Sequence, residues 1–381
     1  MNKKKILFIT NTIGSFVSHR LPIGIKLVEL GYDVHLIAAL NSIEGANIVL
    51  SYEIKFHPIR LSRSGLNIFL EAIVFVKILR LIQSIRPNLV HLVTMKPVIY
   101  GGLIARMLRV DGVIIAISGL GYLFMSSGVL FAFLRSVVLP IFTVIFSKKN
   151  ITVIFQNPED QQLLLRLTKL NPLKVSLIKG SGINLHEFAS TTNPSKLPKV
   201  VIMASRLLKD KGVLEYINAA KILSKKGLGI EFRLVGDIDP GNPSSLTSSE
   251  LLEIKKQNIV KIYGHRDDIA VLYNESRIVV LPSYREGFPK ALIEAASCGR
   301  PIITTDVPGC RESVIPGKTG FLVPPRDCIA LALAIERLIG DDDLCDRMSK
   351  FARKFAEQEF SIDKVVDKHI AIYKSLLKPS R

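Results

Sequence analysis

The chain has 381 residues, of which 48% are hydrophobic and 22% charged, and this balance excludes a largely disordered protein. At about 100–200 residues per domain, the length predicts two or three domains. The formal net charge is +18, and residues 1–190 carry 21 Lys and Arg against 9 Asp and Glu. This excess favours anionic partners, namely phosphates, nucleic acid or an acidic lipid surface, unless the whole proteome is basic.

The cysteines and the first residues indicate the compartment. Cys298, Cys310, Cys328 and Cys345 lack metal-site spacing and are typical of free thiols in a reducing environment. The opening string MNKKKILFIT resembles a secretion signal, but its apolar run stops at Asn11 and no cleavage site follows. We therefore expect a buried first strand and a cytoplasmic protein.

Residues 128–147, GVLFAFLRSVVLPIFTVIFS, are nearly all apolar. Their number approaches the roughly 20 residues of a membrane span, but Arg135 and Pro140 make a span costly. Lys148 and Lys149 follow directly. The pattern favours a helix in the membrane interface with basic anchors, and a plain buried helix is the alternative.

In the first half of the chain, strand patterns alternate with helical patterns. The strands are KKILFIT, DVHLIAA, LVHLVT, VIIAISG and ITVIFQN, and the helices are SHRLPIGIKLVELG, residues 67–85 and the segment around YGGLIARML. This alternation predicts a parallel sheet covered on both faces.

The pattern breaks near residues 180–198, which are rich in Gly, Ser, Thr, Asn and Pro and suggest an interdomain linker. It then resumes with the strands KVVIMASR, IEFRLVGD, IVKIYG, SRIVVLPS and PIITTD, and with helices at VLEYINAAKILSKKG, at FPKALIEAASCG and from about residue 328. We therefore predict an α/β protein with two doubly wound domains facing a central cleft. In such sheets, ligands bind at the carboxyl ends of the strands.

The segment YREGFPKALIEAASCGRPIITTDVPGCRE is the strongest functional signal. Glu286 and Gly287 follow a strand, Pro289 suits the start of a helix, and Glu294 should lie on the second turn of that helix. A helix N-terminus offers free N–H groups to a phosphate, and a nearby carboxylate accepts hydrogen bonds from sugar hydroxyls. Helix capping with a solvated Glu is the structural alternative.

These residues resemble glycosyltransferase family 4, whose members have the GT-B fold. The match comprises the E-x7-E pattern with Glu286 and Glu294, then GRPIITTDVPGCRE, and ASRLLKDKG upstream. In the first half, FVSHRLP, VHLVTMKPVIYGG and ISGLGYLF resemble bacterial members that build surface polysaccharides. The resemblance implies an acceptor-binding domain over 1–185, a nucleotide-sugar domain over 195–360 and a C-terminal helix, 361–381, packing back on the first domain.

The resemblance implies a donor site residue by residue. Arg206 and Lys211 would grip the donor diphosphate, the first as a planar fork of donors and the second as a point charge. Glu294 would hold the ribose and Glu286 the transferred sugar. The other implied donor contacts are Gly14 in the first βα turn, Gly264, His265 and Arg266 beside the base, and Gly287, Phe288, Pro289 and Lys290 around the sugar.

Acceptor contacts are expected from the first domain. His19 and Arg20 open the first helix and Lys96 follows a strand, so this basic set could meet a diphosphate on the acceptor. A solvated helix face or a satisfied histidine is the alternative. Many family members carry a His at the position of Ser118. Here Gly119 and Gly121 are expected to give a close backbone approach instead.

The family resemblance also implies a retaining reaction without a metal or other cofactor. No carboxylate nucleophile stands out in the matching motifs, so a front-face substitution is expected, with the departing diphosphate taking the acceptor proton. Catalysis would then consist of positioning and of charge stabilisation by Arg206 and Lys211. Asp237-Ile238-Asp239 has the spacing of metal-dependent glycosyltransferases, but turn chemistry explains it.

Three other functions remain as alternatives. A sugar-nucleotide epimerase, a phosphorylase or a transferase with a soluble acceptor would use the same fold. An oxidoreductase would need a G-x-G-x-x-G after a first strand, which neither half has. A basic module that binds nucleic acid would need a helix-turn-helix or an aromatic stacking platform, and neither is evident.

The favoured function is transfer of a hexose or N-acetylhexosamine from a nucleotide sugar, UDP-linked, to a polyprenyl-diphosphate-linked saccharide. Undecaprenyl diphosphate is the expected lipid, and O-antigen or capsule is the expected product. The expected location is the inner face of the cytoplasmic membrane, with contact through the basic first domain and residues 128–147. No nucleic-acid partner is expected.

Overall fold

A computed structural model describes residues 3–61, 67–120, 124 and 128–377. The chain forms two compact units. Unit 1 consists of Met1–Ser181 and Asp363–Arg381, and unit 2 consists of Gly182–Ile362. Each unit contains one parallel sheet with helices between successive strands, which confirms the α/β prediction.

The sheet of unit 1 has seven parallel strands in the order β3-β2-β1-β4-β5-β6-β7. In chain order the strands are β1 (Lys5–Thr12), β2 (Asp33–Ala39), β3 (Lys55–Pro58), β4 (Leu89–Val93), β5 (Gly112–Ile117), β6 (Ile151–Phe155) and β7 (Val175–Leu177). Every residue of β4 and β5 is buried. Because helices cover both faces of a parallel sheet, such strands have continuous apolar sequences and not alternating ones.

Seven helices lie between the strands of unit 1 in its described part. They are α1 (Ile13–His19), α2 (Leu21–Glu29), α3 (Ile43–Ser51), α4 (Ile68–Ile85), α5 (Met95–Met107), α6 (Val129–Phe146) and α7 (Pro158–Leu167). The single helix predicted from SHRLPIGIKLVELG is wrong, since Arg20 leaves the helical conformation between α1 and α2. Pro22 lies in the first turn of α2, where its fixed φ favours a new helix start.

The sheet of unit 2 has six parallel strands in the order β10-β9-β8-β11-β12-β13. In chain order they are β8 (Val200–Ala204), β9 (Glu231–Val235), β10 (Lys261–Gly264), β11 (Ile278–Leu281), β12 (Ile302–Thr305) and β13 (Gly320–Val323). The helices of this unit are α8 (Val213–Ser224), α9 (Ser248–Gln257), α10 (Ile269–Asn274), α11 (Lys290–Ser297), α12 (Cys328–Gly340) and α13 (Asp342–Glu359).

The chain passes from unit 1 to unit 2 at Ser181 and Gly182, within the segment predicted as a linker, but the rest of this segment packs into unit 2. Ile183 and Phe188 are buried in the core of this unit. The N–H of Ile183 donates to the carbonyl of Phe360, and the N–H of Ile362 donates to the carbonyl of Ile183. Its Gly, Ser and Asn residues form turns within unit 2, and composition alone does not distinguish such a packed segment from a linker.

The last helix, α14 (Ile362–Leu376), packs in unit 1. Tyr373 is fully buried there, and its hydroxyl is hydrogen-bonded to Nδ1 of His91 on β4. Lys4 Nζ donates to the carbonyl of Leu377 over 2.6 Å. Residues 378–381, which the sequence assigned to the same helix, lie outside the described residues.

Helix α6 covers most of the apolar segment 128–147. Its Phe142, Ile145 and Phe146 are buried, whereas Val129 and Phe133 are exposed. No helix among the described residues combines the length and the apolar character that crossing a bilayer requires.

Candidate active site

The carboxyl ends of the strands in unit 2 bring the predicted donor residues to one edge of the sheet. Arg206 follows β8, Gly264 ends β10, and Glu286 lies in the loop between β11 and α11. Ligands of doubly wound proteins bind at this edge, because loops and helix N-termini meet there.

Lys211 and Glu286 form an ion pair at this edge. Lys211 ends a short turn of 3-10 helix before α8, and its Nζ contacts Glu286 Oε1. The two side chains are only 20% and 11% exposed. The N–H of Glu286 also donates to the carbonyl of Pro308 over 3.1 Å, which fixes the loop. A cation and a carboxylate 75 residues apart in sequence are therefore held together in a partly desolvated position.

Glu294 lies one turn and a half into α11, as the spacing from Glu286 predicted. Its carboxylate is 11% exposed and lies 3.5 Å from Lys290 Nζ. Burial raises the pKa of Glu294, and the charge of Lys290 offsets part of this rise. Pro289 is the N-cap, and no side chain of the described residues caps the helix there. The first N–H groups of α11, which begins four residues after Glu286, therefore have no side-chain cap.

Gly309 packs against the backbone of the loop that contains Glu286. Its φ is +81°, and a Cβ at this position would lie 2.5 Å from the carbonyl oxygen of Glu286 and 2.7 Å from that of Gly287. The N–H of Gly309 donates to Glu312 Oε2 over 2.6 Å. Only glycine allows both this backbone conformation and this close approach.

We expect G309A to lower the free energy of unfolding by about 2–4 kcal/mol, since it combines backbone strain with overpacking. It should also lower kcat, because the Glu286 carbonyl must move. G317A is the matched control: Gly317 has a φ of +74° but no atom lies within 4 Å of its added Cβ. Urea unfolding of both variants measures the difference, and equal losses would contradict the packing explanation.

Arg206 points to a different partner from Lys211. Its NH1 lies 2.6 Å from Asp239 Oδ2, and its side chain is 51% exposed. Asp239 belongs to the D-x-D string, so an arginine already engages one carboxylate of that string. Among the described residues, no group of three or more His, Cys, Asp or Glu side chains is placed to hold a metal ion.

Some of the remaining predicted donor residues can offer a ligand only their backbone, and others can offer their side chains. Gly264 has a φ of +68°, and its carbonyl accepts the N–H of Gly236 over 2.7 Å. His265 and Arg266 are exposed and pair with the aspartates that follow them. Phe288 is buried, with its ring centroid 5.5 Å from that of Phe360, so only its backbone is available to a ligand.

Gly14 does not lie in the predicted βα turn. Strand β1 continues to Thr12, and Gly14 is the second residue of α1. Its N–H donates to Asn41 Oδ1 over 3.1 Å. The prediction was wrong because the helix follows the strand directly, with the Thr12 hydroxyl accepting from Ser15 as the N-cap.

Arg20 is buried in unit 1, which removes it from the predicted acceptor contacts. It is only 3% exposed, and its NH1 donates to the carbonyl of His19 over 2.8 Å. Burial lowers the pKa of Arg20 to about 10. Burial, together with the charge of Arg20, also lowers the pKa values of His91 and His369. We therefore assign Arg20 to the interior that α14 completes.

His19 and Lys96 remain nearer the surface. Nδ1 of His19 lies 3.2 Å from Ser181 Oγ. Lys96, at the start of α5, forms an ion pair with Glu71 of α4. The Tyr100 hydroxyl donates to the other oxygen of Glu71 over 2.6 Å, and burial raises the pKa of Tyr100. The charge of Lys96 is thus already balanced, which the sequence did not predict.

Ser118 and Gly119 follow β5. Gly119 has a φ of +130°, which favours glycine, and the next N–H, of Leu120, donates to Asp160 Oδ2 over 3.2 Å. Asp160 is buried at the start of α7 and anchors this loop. Gly121, the other predicted glycine, lies outside the described residues.

The sequence did not predict the contacts that Tyr284 and Ser283 make in the loop that leads to Glu286. The Tyr284 hydroxyl donates to Glu215 over 2.7 Å, and the Arg326 guanidinium lies 4.7 Å above the Tyr284 ring. Ser283 Oγ donates to the carbonyl of Asp210, beside Lys211. Ser283 and Tyr284 lie three and two residues before Glu286 in the same loop, so their position was the only available signal.

Two family models match the chain. The model described as glycosyl transferase 4-like matches residues 5–157, and the model described as glycosyl transferases group 1 matches residues 187–355. Together they match most of both units.

Two proteins with similar sequences are also named as glycosyltransferases. The chain is 26% identical to an N,N'-diacetylbacillosaminyl-diphospho-undecaprenol alpha-1,3-N-acetylgalactosaminyltransferase from Campylobacter jejuni, over 98% of this chain and 99% of that protein. It is 30% identical to the capsular polysaccharide biosynthesis glycosyltransferase CapM from Staphylococcus aureus, over 62% of this chain but only 64% of that protein.

A solved structure shares the fold. The Anabaena protein HepE, in complex with UDP and glucose, superimposes on this chain with a TM-score of 0.77 at 18% identity. The match covers 98% of this chain and 100% of that chain. The two matching models, the parallel sheets of both units and the E-x7-E segment agree with one another. The chain belongs to glycosyltransferase family 4.

Proposed function

We propose that the chain transfers a hexose or N-acetylhexosamine from a nucleotide sugar to a polyprenyl-diphosphate-linked saccharide during synthesis of a bacterial surface polysaccharide. The carrying observation is the Lys211–Glu286 ion pair beside the N-terminus of α11. The names of the Campylobacter and Staphylococcus relatives support the acceptor and the pathway. UDP is the proposed nucleotide, as in the Anabaena structure.

The ion pair suggests how the donor is received. A diphosphate competes with Glu286 for Lys211, because two phosphate charges attract an ammonium more strongly than one carboxylate does. The released Glu286 carboxylate can then accept hydrogen bonds from the hydroxyls of the transferred sugar. Donor binding thereby replaces the Lys211–Glu286 ion pair with two interactions, one between Lys211 and the diphosphate and one between Glu286 and the transferred sugar.

Leaving-group stabilisation follows from the same exchange. When the bond between the sugar and the diphosphate breaks, negative charge grows on the phosphate that Lys211 contacts. Arg206 adds a second cation once it leaves Asp239. The departing oxygen takes the acceptor proton on the same face of the sugar, so we propose retention of configuration without a metal or other cofactor.

The acceptor side is proposed from unit 1. Residues 1–190 supply most of the net positive charge, and α6 exposes apolar side chains such as Val129 and Phe133. His19 and Lys96 are the proposed contacts to the acceptor. We place the protein at the inner face of the cytoplasmic membrane, with contact through the basic first domain and α6.

Two measurements test this function. In a thermal-shift screen of nucleotide sugars, UDP-hexoses should raise Tm, since a ligand that binds the folded state stabilises it. With the best donor radiolabelled in its sugar, label should move to an undecaprenyl-diphosphate saccharide, with turnover unchanged by EDTA. Label that stays in an epimerised sugar nucleotide, or moves only to soluble acceptors, would overturn the proposal.

A further inference from the structure

Helix α4 exposes large apolar side chains that do not belong to the hydrophobic core. Phe69 is 83% exposed and Ile73 is 63% exposed. On α6, Val129 and Phe133 are 88% and 62% exposed. We define the α4–α6 face by its exposed side chains, which are Phe69, Leu70, Ile73 and Val76 on α4 and Val129, Phe133, Val137 and Val144 on α6.

The two helices belong to one layer of unit 1. Both pack against α5, which lies between them. The rings of Phe75 and Tyr100 make an edge contact between α4 and α5, and a Cβ on Gly102 of α5 would touch Ile145 of α6. The α4–α6 face therefore consists of neighbouring helices of a single unit. An exposed apolar surface of this kind marks an interaction site.

The exposed residues are concentrated at the N-terminal ends of the two helices. Phe69, Leu70 and Ile73 lie in the first two turns of α4, and Val129 and Phe133 in those of α6. A helix that follows a parallel strand begins at the carboxyl edge of the sheet. Lys96 and Glu71 lie at the same edge, so the α4–α6 face borders the proposed acceptor contacts.

Charge identifies the partner. Glu71 is the only carboxylate on α4, α6 carries none, and Glu71 is paired with Lys96. Lys77 and Arg80 are exposed on α4, and Lys149 is exposed just after α6. Apolar side chains flanked by cations, with no free carboxylate on either helix, match the headgroup region of an anionic bilayer. A protein partner would be expected to require some acidic or hydrogen-bonding groups on these helices as well.

We infer that α4 and α6 together form a lipid-binding face, with α4 as an equal partner of the apolar segment 128–147. The inference rests on the proposed function in one respect, since it gives the lipid-linked acceptor a reason to meet the carboxyl edge of unit 1. In this arrangement the Phe69 and Phe133 rings enter the headgroup layer. Lys96 and Glu71 then lie at the level of the acceptor's diphosphate.

The sequence contains no tryptophan, which permits a clean test. The variants F69W and F133W each carry one fluorophore on the α4–α6 face. F351W is the control, because Phe351 on α13 of unit 2 is also half-exposed. With vesicles of equimolar phosphatidylglycerol and phosphatidylcholine, we expect a blue shift and quenching by brominated lipid for F69W and F133W. F351W should show neither change.

A response of F133W without one of F69W would overturn the role of α4, and no response of either would overturn the face. Flotation with the same vesicles provides a second measurement. F69E/I73E should reduce binding by at least about tenfold, as each replaces an apolar contact with a repelled charge. L252E/F351E, which adds the same charge to exposed positions of unit 2, should bind like the wild type.

The experiment separates this inference from the proposed reaction, because vesicle binding requires neither donor nor acceptor. F69E/I73E should retain donor-induced thermal stabilisation, which also shows that the variant is folded. Binding of the wild type to phosphatidylcholine alone, as strong as to the anionic mixture, would contradict the role of Lys77 and Arg80. Vesicle binding by a protein that glycosylates only soluble acceptors would leave the face intact and overturn the acceptor.

Discussion

K211A should lower kcat for sugar transfer by about 10²–10³-fold, the usual cost of removing one preorganised group that stabilises transition-state charge. The Lys211 ammonium is partly buried beside Glu286, so its interaction with a growing phosphate charge is weakly screened. The variant also leaves Glu286 without its cation. Steady-state kinetics with a labelled donor measures the effect.

Lys209, two residues earlier, provides the matched control for Lys211. It pairs with Glu250, and both side chains are well exposed. An exposed pair of this kind contributes little to stability, so K209A should keep near-normal kcat and Tm. If K211A kept near-normal kcat as well, the diphosphate contact and the proposed exchange with Glu286 would both be wrong.

E294A should raise the KM for the donor by about 10–100-fold with a smaller effect on kcat. A hydrogen bond to a charged group contributes about 1.5–3 kcal/mol, and about 1.4 kcal/mol corresponds to a tenfold change in affinity. In the role we propose, Glu294 binds the ribose, which does not react, so this contact acts in the ground state and the transition state alike. E253A, at an exposed position of α9, is the control.

The raised pKa of Glu294 adds a pH dependence. We propose that the ionised Glu294 carboxylate accepts hydrogen bonds from the ribose, so the donor KM should rise as pH falls through the raised pKa of Glu294. Because the folded state holds this proton more tightly than the unfolded state, ionisation of Glu294 costs stability as pH increases. E294Q should therefore have a higher Tm at neutral pH and a donor KM that no longer varies in this range. A KM profile unchanged by E294Q would exclude this assignment.

The sequence predicted most of the strands and the positions of Glu286 and Glu294 relative to one another. Glu286 and Glu294 are separated by eight residues, so one loop and one helix determine their relative position, and the prediction for α11 is confirmed. The buried strands β4 and β5 were equally clear, because an apolar run bounded by turn residues has few alternatives. Short elements such as β3 and α10 were missed because they span too few residues to show a period.

Contacts between distant parts of the sequence could not be predicted. Arg20 seemed available to an acceptor because it follows a histidine near the start of a helix. It is buried instead, and Tyr373 on α14, about 350 positions later, lies close enough to influence its pKa. The pairing of Lys96 with Glu71 has the same origin, since it requires α4 and α5 to lie side by side. Local patterns carry no information on such tertiary neighbours.

The place of α14 in unit 1 has a consequence for the order of folding during synthesis. N-terminal domains usually fold first as the chain leaves the ribosome. Here α14, whose Tyr373 is hydrogen-bonded to the buried His91, is translated only after all of unit 2. Unit 2 can therefore reach its final structure while unit 1 still exposes part of its interior. A chain truncated after Ile362 should present a protease-resistant unit 2 and a protease-sensitive unit 1.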